Sequence, residues 1–421
     1  MSFNPESFDT VVDRVGTDCA KWDRVPFNRS GARLLPMFVA DMDFAAPPAV
    51  QDALRRRIDH PVYGYTFESD SYLRAFCRWQ QRRNAWDVDE QWLVPTPAVM
   101  SAVRASIIAF TDPGDQVVVQ TPVYYPFYAA VRDNGREILA NPLVCESAGP
   151  GDLRYRMDLE GLERSITART KMVLLCSPHN PVGRVWTRAE LDDLAKLCRR
   201  HDLLVVSDEI HADLCRSTSR FVPFAAVGPD AAGRTIACHS PSKTFNIAGL
   251  ASSLTIVPNE QLRRRFHQTL ARLGLTISNT LSLAAAQAAY ADSGAWADSL
   301  TDYLDRQIAW FSDEMGRRFG VGPIAGAPSL RFPPIEGTYL AWLDFGPLLE
   351  AAGRDHRDAE TVLLEQAALR LSAGSQFGPE AAGFFRMNLA APRSIVVDGL
   401  ARLERAVRIL ESSCDARARR G

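Results

Sequence analysis

Five short runs rich in apolar and β-branched residues occupy the middle of this 421-residue chain: QVVVQ (116–120), KMVLLCSP (171–178), LLVVSDE (203–209), TIACHS (235–240) and SSLTIV (252–257). Each is apolar on both faces, so each must be covered from both sides. The stretches between them carry helical periodicity. In TRAELDDLAKLCRRH, Thr187 and Glu190 have the spacing of a capping box ahead of the apolar repeat. Doubly apolar strands separated by helices predict an α/β fold with a mostly parallel sheet between helical layers. With 46% hydrophobic residues the chain has enough apolar surface for a large core. From about residue 295 the pattern changes to long helices with a short β portion around GTYLAWLDF (337–345). The expected organisation is an N-terminal segment (1–45) packing with a small domain, a large domain (46–294) and a smaller α+β C-terminal domain (295–421). No internal repeat is present.

Ligands of open α/β sheets bind just beyond the carboxyl ends of the strands, and three of these runs end on chemically useful residues. KMVLLCSP leads to Asn180, Pro181 and Gly183; LLVVS ends at Asp208; TIACH is followed by Ser240, Ser242 and Lys243. Lysine is scarce, since nearly all of the 48 basic residues are arginine. Taken singly, each signal has a plain structural reading: an Asn-Pro turn, a helix-capping aspartate, a solvated lysine. Adjacent strands would instead aim an amide, a carboxylate and an amine at one point. Pyridoxal phosphate needs that set, because its aldehyde bonds a lysine, its ring nitrogen pairs with an acid and its phenolic oxygen takes a hydrogen bond.

Other classes of function are disfavoured. The net charge is −2, and the basic clusters LRRRID (54–59) and QLRRRFHQ (261–268) read as solvated helix faces, so no nucleic-acid partner is expected. The eight cysteines show no C-x-x-C and no paired spacing, which points to reduced thiols. The first residues lack a signal-peptide pattern and no apolar run has membrane-spanning length, so the expectation is a cytoplasmic protein without a membrane partner. A metal bound by Asp208, Glu209, His211 and Asp213 is not expected either, because successive strand residues point to opposite faces.

Eight ordered blocks then carry a family resemblance: GTDCAKWD, VADMDFAAPP, YGYT, TPVYYPF, CSPHNPVGRVW, SDEIHADL, SPSKTFNIAGL and FRMNLAAPR. Over nearly the whole chain they resemble fold-type I pyridoxal-phosphate enzymes of the aspartate aminotransferase superfamily. They are most similar to the cystathionine β-lyase, or C–S lyase, branch. The resemblance implies a seven-stranded-type sheet and gives each residue an expected role. Lys243 would bond the cofactor, Asp208 would pair with its ring nitrogen and Asn180 would serve its phenolic oxygen. Tyr124 would stack on the ring, with Tyr125 as the neighbouring candidate. Ser240, Ser242 and the backbone amides of Ala98 and Val99 would hold the phosphate. Tyr65 would reach the phosphate of a second subunit, making the enzyme a homodimer. Arg386 would grip the substrate's α-carboxylate, with Asn180 and Ala40 beside it. Arg393 reads as structural.

Two departures from the aminotransferase pattern favour the lyase branch. His211 stands where aminotransferases commonly have tyrosine, and Ala251 where they commonly have a phosphate-binding arginine. Two smaller departures from the lyase pattern, Ala98 and Gln307, leave room for an unusual substrate. The implied reaction is α,β-elimination from an S-substituted L-cysteine, with Lys243 as the base, giving a thiol, pyruvate and ammonia. His211 either supports the cofactor or protonates the departing sulfur. The alternatives are an aminotransferase, an enzyme that decarboxylates or oxidatively deaminates an S-substituted cysteine, and a ligand-sensing regulator. Regulators on this fold carry an added DNA-binding head, for which fewer than 25 residues precede KWD.

Overall fold

Valine-rich runs become strands here because their alternate side chains enter two different cores. A computed structural model describes residues 5–24, 26–149, 152–319 and 330–418. In it Val118, Val173, Leu175 and Val205 pack into one hydrophobic cluster, while Val117, Val119, Leu174 and Val206 pack into another on the opposite face. Each such side chain, removed from water, contributes roughly 1.5–3 kcal/mol.

A short 3-10 helix (Pro5–Asp9) is followed by a two-residue strand, β1 (Leu35–Pro36), and two helices, α1 (Pro48–Asp59) and α2 (Asp70–Asn84). Strand β2 (Leu93–Thr96), helix α3 (Val99–Phe110), β3 (Gln116–Val119) and β4 (Glu137–Ala140) follow. After a hairpin of β5 (Val144–Gly149) and β6 (Asp152–Arg156) come β7 (Thr170–Cys176), β8 (Leu204–Asp208), β9 (Thr235–His239) and β10 (Ser253–Ile256). Seven of these form one sheet in the order β2-β10-β9-β8-β7-β3-β4, with β10 antiparallel to both neighbours and the strands from β9 to β4 parallel. The strands stop one or two residues short of several sequence runs. Ser177, Pro178, Glu209 and Ser240 leave the sheet as the backbone turns toward the site.

Register brings the strand ends together. Asp208 is paired across the sheet with Cys176 on one side and Cys238 on the other. The helix Arg188–Arg200 begins with the expected capping box, Thr187 and Glu190 bonding reciprocally to each other's backbone.

Beyond the helix Gly294–Phe319 lie β11 (Leu340–Asp344), β12 (Leu369–Arg370), β13 (Ser372–Ala373) and β14 (Phe384–Asn388). β11, β14 and β13 form an antiparallel sheet, and β1 pairs in parallel with β12. Leu35 and Met37 join the same core as Phe311, Leu343, Met387 and Leu400, so the N-terminal segment packs with the later part of the chain. Residues 1–4 and 419–421, the ends of the first and last expected segments, lie outside the described residues. The seven cysteines whose side chains are described are free; Cys414 lies outside that set.

An ionic cluster holds the N-terminal segment together just next to Ala40, which lines the site. Lys21 Nζ, almost wholly buried, lies 2.6 Å from Asp43 Oδ2. Asp43 also accepts from Arg14 at 2.7 Å and from Trp22 Nε1 at 3.0 Å. Burial acts to raise the Asp43 pKa, but Lys21, Trp22 and Arg14 together hold it below the ordinary carboxylate range. A depressed folded-state pKa contributes stability that is present above the unfolded carboxylate pKa and is lost as pH falls through the folded value. Lys21→Met leaves a buried charge short of one partner, and such a loss costs about 3 kcal/mol. The expected result is a lower urea midpoint for Lys21→Met at neutral pH, with the gap to wild type closing as the pH falls below about 4. A pH-independent gap would assign the effect to packing.

Candidate active site

A cavity of about 740 Å³ opens at the carboxyl ends of β7, β8 and β9, and it gathers Asn180, Asp208, His211, Ser240, Ser242 and Lys243. Sheet order explains the grouping: Asn180 follows β7, Asp208 ends β8 with His211 just beyond it, and Ser240, Ser242 and Lys243 follow β9, three strands that lie side by side. Tyr124, Tyr125, Ala40, Ala98, Val99 and Arg386 line the same cavity from other parts of the chain. Tyr65 does not line it: that side chain is 97% exposed.

Lys243 lies in the short helix Pro241–Thr244, directly after β9. Its Nζ donates to Ala40 O at 2.6 Å, an oxygen that also accepts from Tyr339 at 2.9 Å. Burial, opposed by Asp41 and assisted by the cation of Arg386, pulls the Lys243 pKa down to about 8. Asp208 is buried, and its Oδ1 accepts from the Ile210 amide at 3.1 Å. Burial pushes its carboxyl up to about 6, against the pull of that amide and of Lys243. The amine and the acid are thus both poised near neutrality.

Arg386 comes from β14 and lines the cavity. Its Nη1 donates to Asn180 Oδ1 at 2.9 Å and its Nη2 to Phe38 O at 2.8 Å, while Nε has no protein partner. Burial lowers its pKa to about 10, so it stays cationic. A buried cation with an unclaimed donor suits a carboxylate ligand.

The opposite end of the cavity is built for an anion of another kind. Ala98 is the N-cap of α3 and offers no side-chain cap, so the amides of the first helical turn remain available at the positive end of the helix dipole. Ser240 Oγ accepts from the Ser242 amide at 3.1 Å and donates to Ser252 O at 2.6 Å, which holds the serine pair in place. The position expected for an arginine in aminotransferases is Ala251, which also lines the cavity.

The residues Asp208, Glu209, His211 and Asp213 do not converge. Glu209 accepts from Ser207 at 2.8 Å and from the Phe224 amide at 3.0 Å, and lies 2.9 Å from His239 Nε2. Asp213 accepts from Trp79 at 3.0 Å and Thr244 at 2.9 Å. His211 packs edge-on to Tyr339, and its pKa lies well below the ordinary value because of burial and the nearby cations Lys243 and Arg386. Arg393 sits in the outer structure, bonding Gln307 at 2.6 Å and stacking on Trp310 at 4.1 Å. Gln307 also donates to Leu389 O and Ala391 O.

Sequence reasoning missed Phe38, Ser372 and Tyr339. Phe38 acts through its carbonyl, which leaves no trace in residue type. Ser372 Oγ lies 3.4 Å from Arg386 and donates to Phe38 O at 2.9 Å. Only the strand pairing of Ser372 with Arg386 exposes that link.

The fit to pyridoxal phosphate rests on these donors. A lysine with a lowered pKa, a buried acid with no cation in contact, an open helix N-terminus beside two serines and a half-satisfied arginine fall in one cavity of suitable size.

Comparison with known proteins gives a consistent result. The profile of the family described as aminotransferase class I and II matches residues 39–402. Cystathionine beta-lyase PatB of Bacillus subtilis is 38% identical over 95% of this chain and 100% of its own. Protein MalY of Escherichia coli is 36% identical over 95% and 98%. Among solved structures, cystalysin from Treponema denticola, which contains pyridoxal 5'-phosphate, superposes with a TM-score of 0.88 at 34% identity, covering 97% of this chain and 100% of that one.

Proposed function

This chain belongs to the class I and II aminotransferase family, and on that premise we propose that it is a pyridoxal-phosphate-dependent carbon–sulfur lyase acting by α,β-elimination on an S-substituted L-cysteine. The observation that carries the reading is one cavity holding Lys243, Asp208 and the Asn180–Arg386 pair, in a chain more than 35% identical to a cystathionine beta-lyase.

Bound there, pyridoxal phosphate supplies an electrophilic aldehyde for the substrate's amine and a ring that takes up the electron pair left at Cα. The protein's residues do the rest. Arg386 holds the substrate's α-carboxylate through its free edge, with Asn180 fixing the guanidinium in place. Lys243 would accept the Cα proton, and the bond from Cβ to sulfur would break with its electron pair leaving on sulfur. Asp208 keeps a proton on the ring nitrogen. Tyr124 would cover the ring, and the N-terminus of α3 with Ser240 and Ser242 would hold the phosphate. His211 is neutral, so it is a poor acid for the leaving sulfur, and the protonated Lys243 would be the donor. The released aminoacrylate takes up water to give pyruvate and ammonia.

The division into segments 1–45, 46–294 and 295–421 belongs to this reading, with the active site between the later two. So does a homodimer. Tyr65, Phe67, Val62, Tyr63 and Ile277 are each more than half exposed. Apolar surface of that kind marks association, and Tyr65 would complete the phosphate site of a second copy. No described helix is long and apolar enough to cross a membrane.

The deciding assay supplies L-cystathionine or an S-alkyl cysteine to the holoenzyme and measures pyruvate and free thiol together. Equal amounts of both, without an added 2-oxo acid, are expected. Product that appears only when a 2-oxo acid is present would make the protein an aminotransferase.

A second expectation concerns cofactor uptake. Covalent capture requires the neutral amine of Lys243. With a pKa of about 8, the neutral fraction rises about fivefold from roughly pH 7 to pH 8. The capture rate of the cofactor-free protein, followed by absorbance, should rise by that factor and level off above about pH 9. A flat profile would show that deprotonation of Lys243 does not limit capture.

A further inference from the structure

The cavity contains a second arginine that nothing above employs. Arg370 ends β12, paired with Pro36, and lines the cavity in a half-buried position. Its guanidinium lies 4.2 Å from the centre of the Phe38 ring, while the carbonyl of that same Phe38 accepts from Arg386. One residue thus separates the arginine expected to hold the α-carboxylate from another cation nearer the rim.

Stacking on an aromatic ring occupies the face of a guanidinium and leaves its edge donors free. No protein acceptor takes those donors among the described residues, and no carboxylate there comes within ion-pair distance. The other charge that acts on Arg370 is a cation, Arg24, and burial with that cation lowers the Arg370 pKa. The rim's remaining basic side chain, Arg29, is already paired with Glu365 at 3.7 Å. Glu360, the other acid lining the rim, is exposed and makes no ion pair with Arg370. A half-buried cation kept next to another cation, without an acid, is costly unless a ligand supplies the anion. The lining of the same cavity also includes Phe27, Leu363, Leu364 and Leu371, which suit an alkyl chain.

We propose that Arg370 determines substrate specificity by binding a terminal carboxylate on the sulfur substituent, so that the preferred substrates are cysteine S-conjugates whose short alkyl group ends in an anion. This rests on the lyase reading and adds a second anion subsite to it. The α-carboxylate goes to Arg386, sulfur lies between, and the distal carboxylate meets the edge of Arg370 in a two-pronged pair.

The test compares S-(2-carboxyethyl)-L-cysteine with its neutral isostere S-(2-carbamoylethyl)-L-cysteine, in wild-type holoenzyme and in Arg370→Gln and Arg370→Lys. Each substrate is titrated against the cofactor absorption band, and pyruvate is measured in the same samples. The wild type should favour the carboxylate by about 10- to 100-fold in affinity and in kcat/KM, the range of a charge-assisted bond. Arg370→Gln should bring that ratio within about threefold of unity while leaving the amide substrate unchanged within about twofold, with Arg370→Lys between. A wild-type ratio near unity would overturn the proposal, as would an unchanged ratio in Arg370→Gln. If the binding preference is present and lost on substitution, yet neither substrate yields pyruvate, Arg370 keeps its role and the elimination reading fails instead.

Discussion

Replacing Lys243 by alanine should lower pyruvate formation by at least about 10⁴-fold, the upper end of what a positioned general base contributes. The geometry makes the loss hard to compensate. The amine is buried, tethered to Ala40 O, and its pKa is lowered to about 8 by burial. No other described amine lines the cavity. The same substitution removes the covalent attachment of the cofactor but leaves its other supports: the open N-terminus of α3, the serine pair and Asp208. Lys243→Ala should therefore still retain the cofactor without a covalent bond, visible as a changed absorption band that dialysis removes slowly. Loss of cofactor and activity together would mean that the attachment carries the affinity. Residual activity above about one hundredth of wild type would remove Lys243 from the role of base.

Much of this arrangement was legible before any coordinates. Strand runs apolar on both faces require cover on both sides, and the two clusters that take alternate valines satisfy that requirement. Asn180, Asp208 and Lys243 each follow a different strand, and a parallel sheet lines up such ends; the register of Cys176, Asp208 and Cys238 is the outcome. The family blocks identified Arg386, whose distance in sequence from the other three gives no hint of contact. What stayed hidden depends on long-range pairing or on backbone atoms. Phe38 acts through its carbonyl. Lys21 and Asp43 lie 22 residues apart on an irregular segment, with no periodicity to reveal that they meet. Arg370 carries no sequence signal, because an arginine's lack of a partner is a property of its surroundings.

Asp208→Asn should move activity and stability in opposite directions. For activity, on the lyase reading the carboxylate would hold a proton on the ring nitrogen, which asparagine cannot do. Breaking a buried charge pair of this kind costs about 3–5 kcal/mol, which corresponds to roughly 10²–10⁴-fold in rate. Stability of the cofactor-free protein follows the other sign. The folded-state pKa of Asp208 is raised to about 6, so the stability associated with this group is fully present below the unfolded carboxylate pKa and is lost as pH rises through the folded value. By neutral pH the ionised, buried carboxylate costs the fold about 3 kcal/mol, two pKa units or so of unfavourable charge burial. Asparagine carries no such charge. Cofactor-free Asp208→Asn should match wild type in urea midpoint near about pH 4 and exceed it increasingly as the pH rises to about 7. Adding cofactor should reverse the order, because only the native carboxylate gains a cationic partner from it. A variant that loses both activity and stability at neutral pH would mean that the Asp208 carboxylate serves the fold through contacts such as the Ile210 amide, and that its burial is structural rather than held in reserve for the ring nitrogen.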